Sequence, residues 1–214
     1  MTGGAARRAL RGLYAITPDA DDTEGLLSRV AAAVAGGARF IQYRNKTAGP
    51  ALHLEQARAL QSLCAGRGAT LIINDHVDIA LAVNAEGVHL GAEDGSLVRA
   101  REILGPEKLI GVSCYNRLEL AHAAQTNGVD YVAFGSFFPS RVKPGAVQAS
   151  VALLETAKRE LDVPVAAIGG ITLEHAPQLI ASGADLLAVI TAVFDAGDVT
   201  QAARRFSDLF ESCS

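Results

Sequence analysis

Eight short apolar runs, each followed by a longer stretch of helical periodicity, predict that this 214-residue chain is an α/β protein folded as a single (β/α)8 TIM barrel. The chain offers about 27 residues per strand–helix unit, which suits the small end of that architecture. Glycines punctuate the pattern at Gly36-Gly37, Gly66, Gly68, Gly87, Gly128 and Gly183, between a helix-like segment and the next apolar run, where helix C-caps belong.

The first strand is read at Leu13–Thr17, followed by a helical segment at Thr23–Gly36. The unit recurs as Ala38–Tyr43 with Pro50–Arg67, Ala69–Asn74 with Val77–Val83, and Gly87–Leu90 with Ser96–Leu104. Lys108–Ser113 with Asn116–Asn127 follows, and the last strands are Val129–Gly135, Val163–Ile168 and Asp185–Ile190, each leading into a helix-like segment. Continuous apolar runs, as opposed to alternating ones, indicate parallel strands buried on both faces. A doubly wound open sheet is the structural alternative, but no Gly-x-Gly-x-x-Gly turn follows the first strand and no reversal of strand order is evident. The expected domain is residues 1–214, with 1–12 as a flexible N-terminal extension.

Half of the residues are hydrophobic, a fifth are charged and the formal net charge is -4, so the chain is neither disordered nor marked for nucleic acid or anionic membranes. A small anionic substrate is not excluded, since two or three cations in one pocket suffice. Cys64, Cys114 and Cys213 show no metal-type spacing and argue against a disulfide framework, which points to a reducing, cytoplasmic location. The N-terminus turns acidic where a signal peptide would continue apolar, and no run of about 18 apolar residues follows anywhere.

Active sites in this fold lie at the C-terminal ends of the strands, so polar residues there count most. After the second strand, Gln42, Arg44 and Lys46 are spaced by two and project to one face of an extended chain, an arrangement suited to a diphosphate or carboxylate. Asp75 and Asp94 stand at the tops of the third and fourth strands and could share one Mg2+, although either could instead cap the following helix. Asp78 reads as a helix-dipole partner, Asp130 and Asp185 lie at the opposite ends of their strands and read as structural, and His89 reads as a hydrogen-bonded core residue. Cys114 has no adjacent base and reads as packing, whereas Ser113 is placed to donate a hydrogen bond to a substrate oxygen. A long loop from Gly135 to Gly145 carries Arg141 and Lys143 and has the character of a lid. Gly169-Gly170 after the seventh strand, with Ile190-Thr191 after the eighth, match the phosphate site common in such barrels.

The segments QYRNK (Gln42–Lys46), INDHVDIAL (Ile73–Leu81), GVHLGAED (Gly87–Asp94), GVSCYN (Gly111–Asn116), DYVAFGSFFPSRVKPGA (Asp130–Ala146) and AIGGIT (Ala167–Thr172) together resemble those of the thiamine phosphate synthase family. The likeness runs from Leu13 to about Phe194. It implies a barrel transferase that joins a hydroxymethylpyrimidine diphosphate to a thiazole phosphate (carboxylate form) with release of pyrophosphate, by a dissociative, Mg2+-assisted route. By position, the resemblance assigns the pyrimidine diphosphate to Gln42, Tyr43, Arg44, Asn45, Lys46, Asn74, Ser113 and Lys143. Mg2+ goes to Asp75 and Asp94, the thiazole side to Ser140, Arg141 and Val142, and the thiazole phosphate to Gly170, Ile190 and Thr191. Arg44, Lys46, Ser113 and Lys143 would act in catalysis. The expected partners are these small molecules, with homo-oligomerisation left open.

The chain departs from the family pattern at three places. Asn45 stands where Glu is usual, Ala92 where Gln is usual, and Ser140-Arg141-Val142-Lys143 where Thr-x-Thr-Lys is usual; Val142 lacks a threonine's hydroxyl. Two rival readings are a thiazole tautomerase, which shares the barrel but performs proton transfer without a two-aspartate metal site, and a non-catalytic binder of thiamine intermediates. Asp75 and Asp94 beside Arg44 and Lys46 favour the synthase.

Overall fold

The computed structural model describes residues 10–91, 96–139 and 145–211. Its strands are β1 (Gly12–Ile16), β2 (Phe40–Tyr43), β3 (Thr70–Asn74), β4 (Gly87–Leu90), β5 (Leu109–Tyr115), β6 (Tyr131–Phe134), β7 (Val165–Ile168) and β8 (Leu186–Val189). They pair in sequence order, all parallel, and β8 pairs with β1 to close the barrel. The open-sheet alternative is thereby excluded. The helices among the described residues are α1 (Thr23–Ala35), α2 (Pro50–Ala65), α3 (Val77–Ala82), α4 (Leu97–Leu104), α5 (Leu118–Thr126), α6 (Val151–Glu160), α7 (Ala176–Ala181), α8 (Thr191–Phe194) and α9 (Val199–Glu211). None is long and apolar enough to cross a membrane.

Local chemistry explains where helices begin. The side chains of Asp22, Ser96 and Ser150 accept hydrogen bonds from the N–H groups of Glu24, Arg99 and Leu153, and Pro50 opens α2 with a φ already suited to a helix. The glycine pattern holds at Gly128 and Gly183, whose φ of 76° and 107° let the chain turn from helix to strand. Gly87 is different, because it lies within β4. A Cβ there would strike the Leu109 carbonyl of β5, so close strand approach explains it.

Residues 10–12 also differ from the expected extension. Gly12 already belongs to β1, Leu10 is buried in the barrel interior, and the Arg11 guanidinium lies over the Phe210 ring of α9.

Two apolar cores explain the unalternating strands. One lies between barrel and helices, with Leu13, Ile41, Leu71, Ile73, Val88 and Phe206 among its fully or almost fully buried members. The other fills the barrel, built on Tyr14, Phe40, Ile72, Tyr131, Ala133, Ala166, Leu186 and Ala188. Successive residues of most strands feed the two cores in turn, which is why both faces are apolar; β4 instead sends Val88 and Leu90 to the outer core and carries the buried His89 between them.

The lower rim carries a repeated clamp. Glu86, Asp130 and Asp185 each precede an even-numbered strand, and each donates its own N–H to the carbonyl of Leu71, Ile110 or Val165 in the strand before. The same three residues return their N–H groups to the carboxylates, at 2.9, 2.8 and 2.9 Å. Asp130 is paired with Arg101 at 2.6 Å and Asp185 with Lys158 at 2.7 Å, which fulfils the structural reading of both aspartates. With its side chain only 3% exposed, Asp130 is the most buried of these ion pairs. Asp130→Ala is expected to cost about 3 kcal/mol, since it strands the Ile110 N–H and a partly buried guanidinium; urea unfolding measures it.

Candidate active site

The C-terminal ends of the strands surround a cavity of about 390 Å³, the size of a small-molecule site. Its floor belongs to the inner core. Tyr14, Gln42 and His89 rise from β1, β2 and β4, while Ala133, Ile168 and Ala188 form apolar wall. Ser113 and Tyr115 enter from β5, whose pairing with β6 shifts register between them; Tyr115 adopts φ 53°. That bulge lengthens β5 beyond the Ser113 end expected from sequence.

Gln42, Arg44 and Lys46 all line the cavity, as their spacing predicts. What fixes them is a set of contacts from the loop after β1. Buried Thr17 exchanges hydrogen bonds with the backbone of Arg44, donating from Oγ1 to its carbonyl and accepting from its N–H, both at 2.9 Å. Asp19 Oδ1 accepts from Arg44 Nη1 at 3.2 Å and from the Lys46 N–H at 2.8 Å. Sequence reasoning missed Thr17 and Asp19, although their place at the top of the first strand was a usable signal.

Tyr43 and Asn45 take the opposite side. The Tyr43 hydroxyl donates to Oε1 of fully buried Gln56 on α2 at 2.8 Å, which turns the ring away from the cavity floor. The Asn45 amide donates to the Ala20 carbonyl at 2.7 Å and to Gln56 Oε1, and its oxygen accepts from the Thr47 N–H, the Thr47 hydroxyl and the Ala48 N–H. With every polar atom of its amide committed, the Asn45 side chain organises the loop, while Asn45 also lines a neighbouring cavity.

Beside the main cavity lies a second, of about 680 Å³, lined by Asp75, His76, Asp78 and His53. Arg44, Lys46 and Asn74 line both cavities and form their common wall. Asn74 Nδ2 donates to Asp75 Oδ2 at 2.6 Å, and the Asp75 N–H donates to the His89 carbonyl at 2.9 Å, holding Asp75 at φ 63°. The N-cap of α3 is His76, so Asp75 precedes the capping position, while Asp78 occupies the first turn as a dipole partner should. Asp94, Ser140, Arg141, Val142 and Lys143 lie outside the described residues. Among those described, no group of three or more His, Cys, Asp or Glu side chains is arranged to hold a metal.

Gly169, Gly170, Ile190 and Thr191 line the same main cavity. Gly170, at φ 61°, packs so closely that a Cβ would strike the carbonyls of Phe138 and Pro139. The Phe137 and Phe138 N–H groups donate to the Ile168 and Gly169 carbonyls at 3.1 and 3.0 Å, tying the start of the β6 loop to this wall.

His89 is the hydrogen-bonded core residue expected, yet it also lines the cavity. Its Nδ1 lies 3.0 Å from the Tyr131 hydroxyl and its Nε2 2.9 Å from Ser113 Oγ. Burial pushes the Tyr14 and Tyr131 phenols well above their ordinary range. It also lifts the Cys64 and Cys114 thiols from near 9 to about 12, which agrees with packing as the role of Cys114. These groups keep their protons in the folded chain after the unfolded chain has lost them. Their contribution to stability is therefore complete below the unfolded pKa and declines as pH rises towards the folded one. Stability is expected to fall from about pH 9 upwards by about 1.4 kcal/mol per pH unit for each thiol. Urea midpoints across that range measure the slope, which is shallower in Cys114→Ala.

A family model described as thiamine monophosphate synthase matches residues 13–193. The thiamine-phosphate synthase of Nitrosospira multiformis is 52% identical over 207 residues, covering 97% of this chain and 88% of the relative. That of an Azoarcus species is 54% identical over 201 residues, covering 94% of this chain and 98% of the relative. Among solved structures, thiamine phosphate pyrophosphorylase from Pyrococcus furiosus superposes with a TM-score of 0.86 at 36% identity, covering 96% of this chain and 98% of that one.

Proposed function

The chain belongs to the thiamine monophosphate synthase family, and from that premise we propose that its cavity joins a pyrimidine bearing a CH2-linked diphosphate to a thiazole phosphate, releasing pyrophosphate. The observation that carries this reading is that Gln42, Arg44 and Lys46 line the same cavity as Gly169, Gly170, Ile190 and Thr191. Two anion-binding edges in one largely apolar cavity suit two phosphorylated halves that must meet within it. The tautomerase and the non-catalytic binder find no support among the relatives.

Gln42 and the floor around Tyr14 and His89 receive the pyrimidine ring, and its diphosphate extends towards Arg44, Lys46 and Asn74. An electron-rich aminopyrimidine can delocalise the cation left on its CH2 when the diphosphate departs, so no protein nucleophile is needed. Arg44 and Lys46 stabilise the negative charge that accumulates on the leaving group, with Ser113 as a neutral donor and Lys143 as a third cation. The Gly170 and Thr191 edge holds the thiazole phosphate, so that the ring nitrogen meets the cation in register. Ala133, Ile168 and Ala188 keep water from competing for it.

The residues fit a hard divalent cation: Asp75 offers carboxylate oxygen next to the cationic wall that would carry the diphosphate, the setting in which Mg2+ binds through one or two carboxylates and substrate phosphates. We assign Mg2+ to Asp75 and Asp94; when bound it acts as a Lewis acid that neutralises diphosphate charge. The buried free thiols of Cys64 and Cys114 suit the reducing cytoplasm, where we place the reaction.

Incubating the purified protein with the two phosphorylated halves and Mg2+ is expected to yield thiamine phosphate and pyrophosphate by mass spectrometry. Tautomerase turnover with no condensation product would overturn the reading.

A further inference from the structure

The barrel floor holds a continuous line of polar atoms in an otherwise apolar interior. Gln42 Nε2 lies 2.7 Å from the Tyr14 hydroxyl, which is 2.8 Å from that of Tyr131. The Tyr131 hydroxyl is 3.0 Å from His89 Nδ1, and His89 Nε2 is 2.9 Å from Ser113 Oγ. Gln42, Tyr14, Tyr131 and His89 are each no more than 7% exposed, so water does not compete for these bonds. The Tyr131 ring is wedged: a Cβ on Gly111 would overlap it, and Tyr14 meets it edge-on at 5.9 Å.

The line has a direction, set by counting hydrogens. An amide nitrogen only donates, so the Tyr14 oxygen accepts from Gln42 and its single hydrogen goes to Tyr131. Tyr131 then accepts from Tyr14 and has one hydrogen left, which goes to His89 Nδ1. A neutral imidazole that accepts at Nδ1 carries its proton on Nε2, and donates there to Ser113. With an Oγ lone pair occupied by that bond, the Ser113 hydrogen is directed towards the cavity.

We propose that Tyr131 and His89 are positioning residues, which orient the Ser113 hydroxyl as an obligatory donor to an anionic oxygen of the substrate. This rests on the synthase reading and extends it to residues that touch the reacting atoms only through Ser113. A hydroxyl already accepting from a donor chain is a stronger donor itself, so the relay would sharpen a contact that tightens as leaving-group charge grows.

The first test needs no substitution and no substrate. Nitrogen-15 spectra of the histidine ring in the whole, unliganded protein are expected to show His89 as the Nε2-protonated tautomer; an Nδ1-protonated or doubly protonated ring overturns the proposal. The second test is kinetic. Tyr131→Phe and Ser113→Ala should each lower kcat about tenfold with little change in KM, the size expected for one hydrogen bond made in the transition state. Tyr14→Phe should keep the Nε2-protonated His89 tautomer in the nitrogen-15 spectra, because Tyr131 still donates to His89. Combining Tyr131→Phe with Ser113→Ala should add nothing to Ser113→Ala alone. Multiplicative loss in the double variant would assign Tyr131 to packing and sink the idea. Tyr14→Phe with Tyr131→Phe leaves no unpaired hydroxyl and is the variant to use if Tyr131→Phe fails to fold; it too should lower kcat about tenfold and lose the Nε2-protonated preference of His89, and a wild-type kcat there would overturn the proposal. An inactive wild type would instead count against the synthase reading, and the spectra would still decide the relay.

Discussion

Arg44→Ala is expected to lower kcat/KM for the condensation by about a thousandfold, equivalent to about 4 kcal/mol of lost transition-state stabilisation. The size follows from what the guanidinium faces: a diphosphate whose charge rises as it leaves, in a cavity whose other walls are largely apolar. The fold should survive. Both Thr17 bonds go to the Arg44 backbone, not to its side chain, and the ion pair with Asp19 is partly exposed. Thermal midpoints should therefore move little, while the loss falls on kcat as well as KM. Arg44→Lys should recover only part, since an ammonium is a point charge without the planar fork that grips two phosphate oxygens. Wild-type kcat/KM in Arg44→Ala would remove this residue from the leaving-group site.

Asp75→Asn is the second large effect, and the backbone makes it a clean substitution. Aspartate and asparagine are among the few non-glycine residues that tolerate φ near 63°, and the asparagine carbonyl can still accept from Asn74 Nδ2. Only the negative charge is lost. Turnover is expected to fall at least a hundredfold, and pyrophosphate-dependent binding of Mg2+, followed by calorimetry, should weaken in parallel. Undiminished Mg2+ dependence would place the metal on other residues.

The barrel was legible because its strands are apolar on both faces and its helices are punctuated by glycine. The same arithmetic separated Gln42, Arg44 and Lys46 from their neighbours, since alternate residues of an extended chain face opposite ways. The resemblance assigned the whole run Gln42–Lys46 to substrate, whereas the alternation sends the Tyr43 and Asn45 side chains to Gln56 and Ala20. The tyrosines of the floor were invisible for a different reason. A phenol in an apolar run looks like packing until the partner of its hydroxyl is known, and Tyr14 and Tyr131 are 117 residues apart. The β5 bulge depends on a mismatch with a neighbouring strand, which no single segment records. Asp19 had neither an apolar pattern nor a motif, and only its place just beyond the first strand could have announced it.

The three carboxylate clamps beneath β4, β6 and β8 have a bearing on what could be built from this chain. Each joins an even strand to the odd strand before it by a reciprocal pair of bonds at the end remote from the cavity. Strand registration therefore has anchors that no catalytic loop supplies. A protein engineer could exchange the loops of the upper rim to fit a differently shaped acceptor ring and leave these anchors untouched, treating the lower rim as a chassis and the upper as an interchangeable tool head.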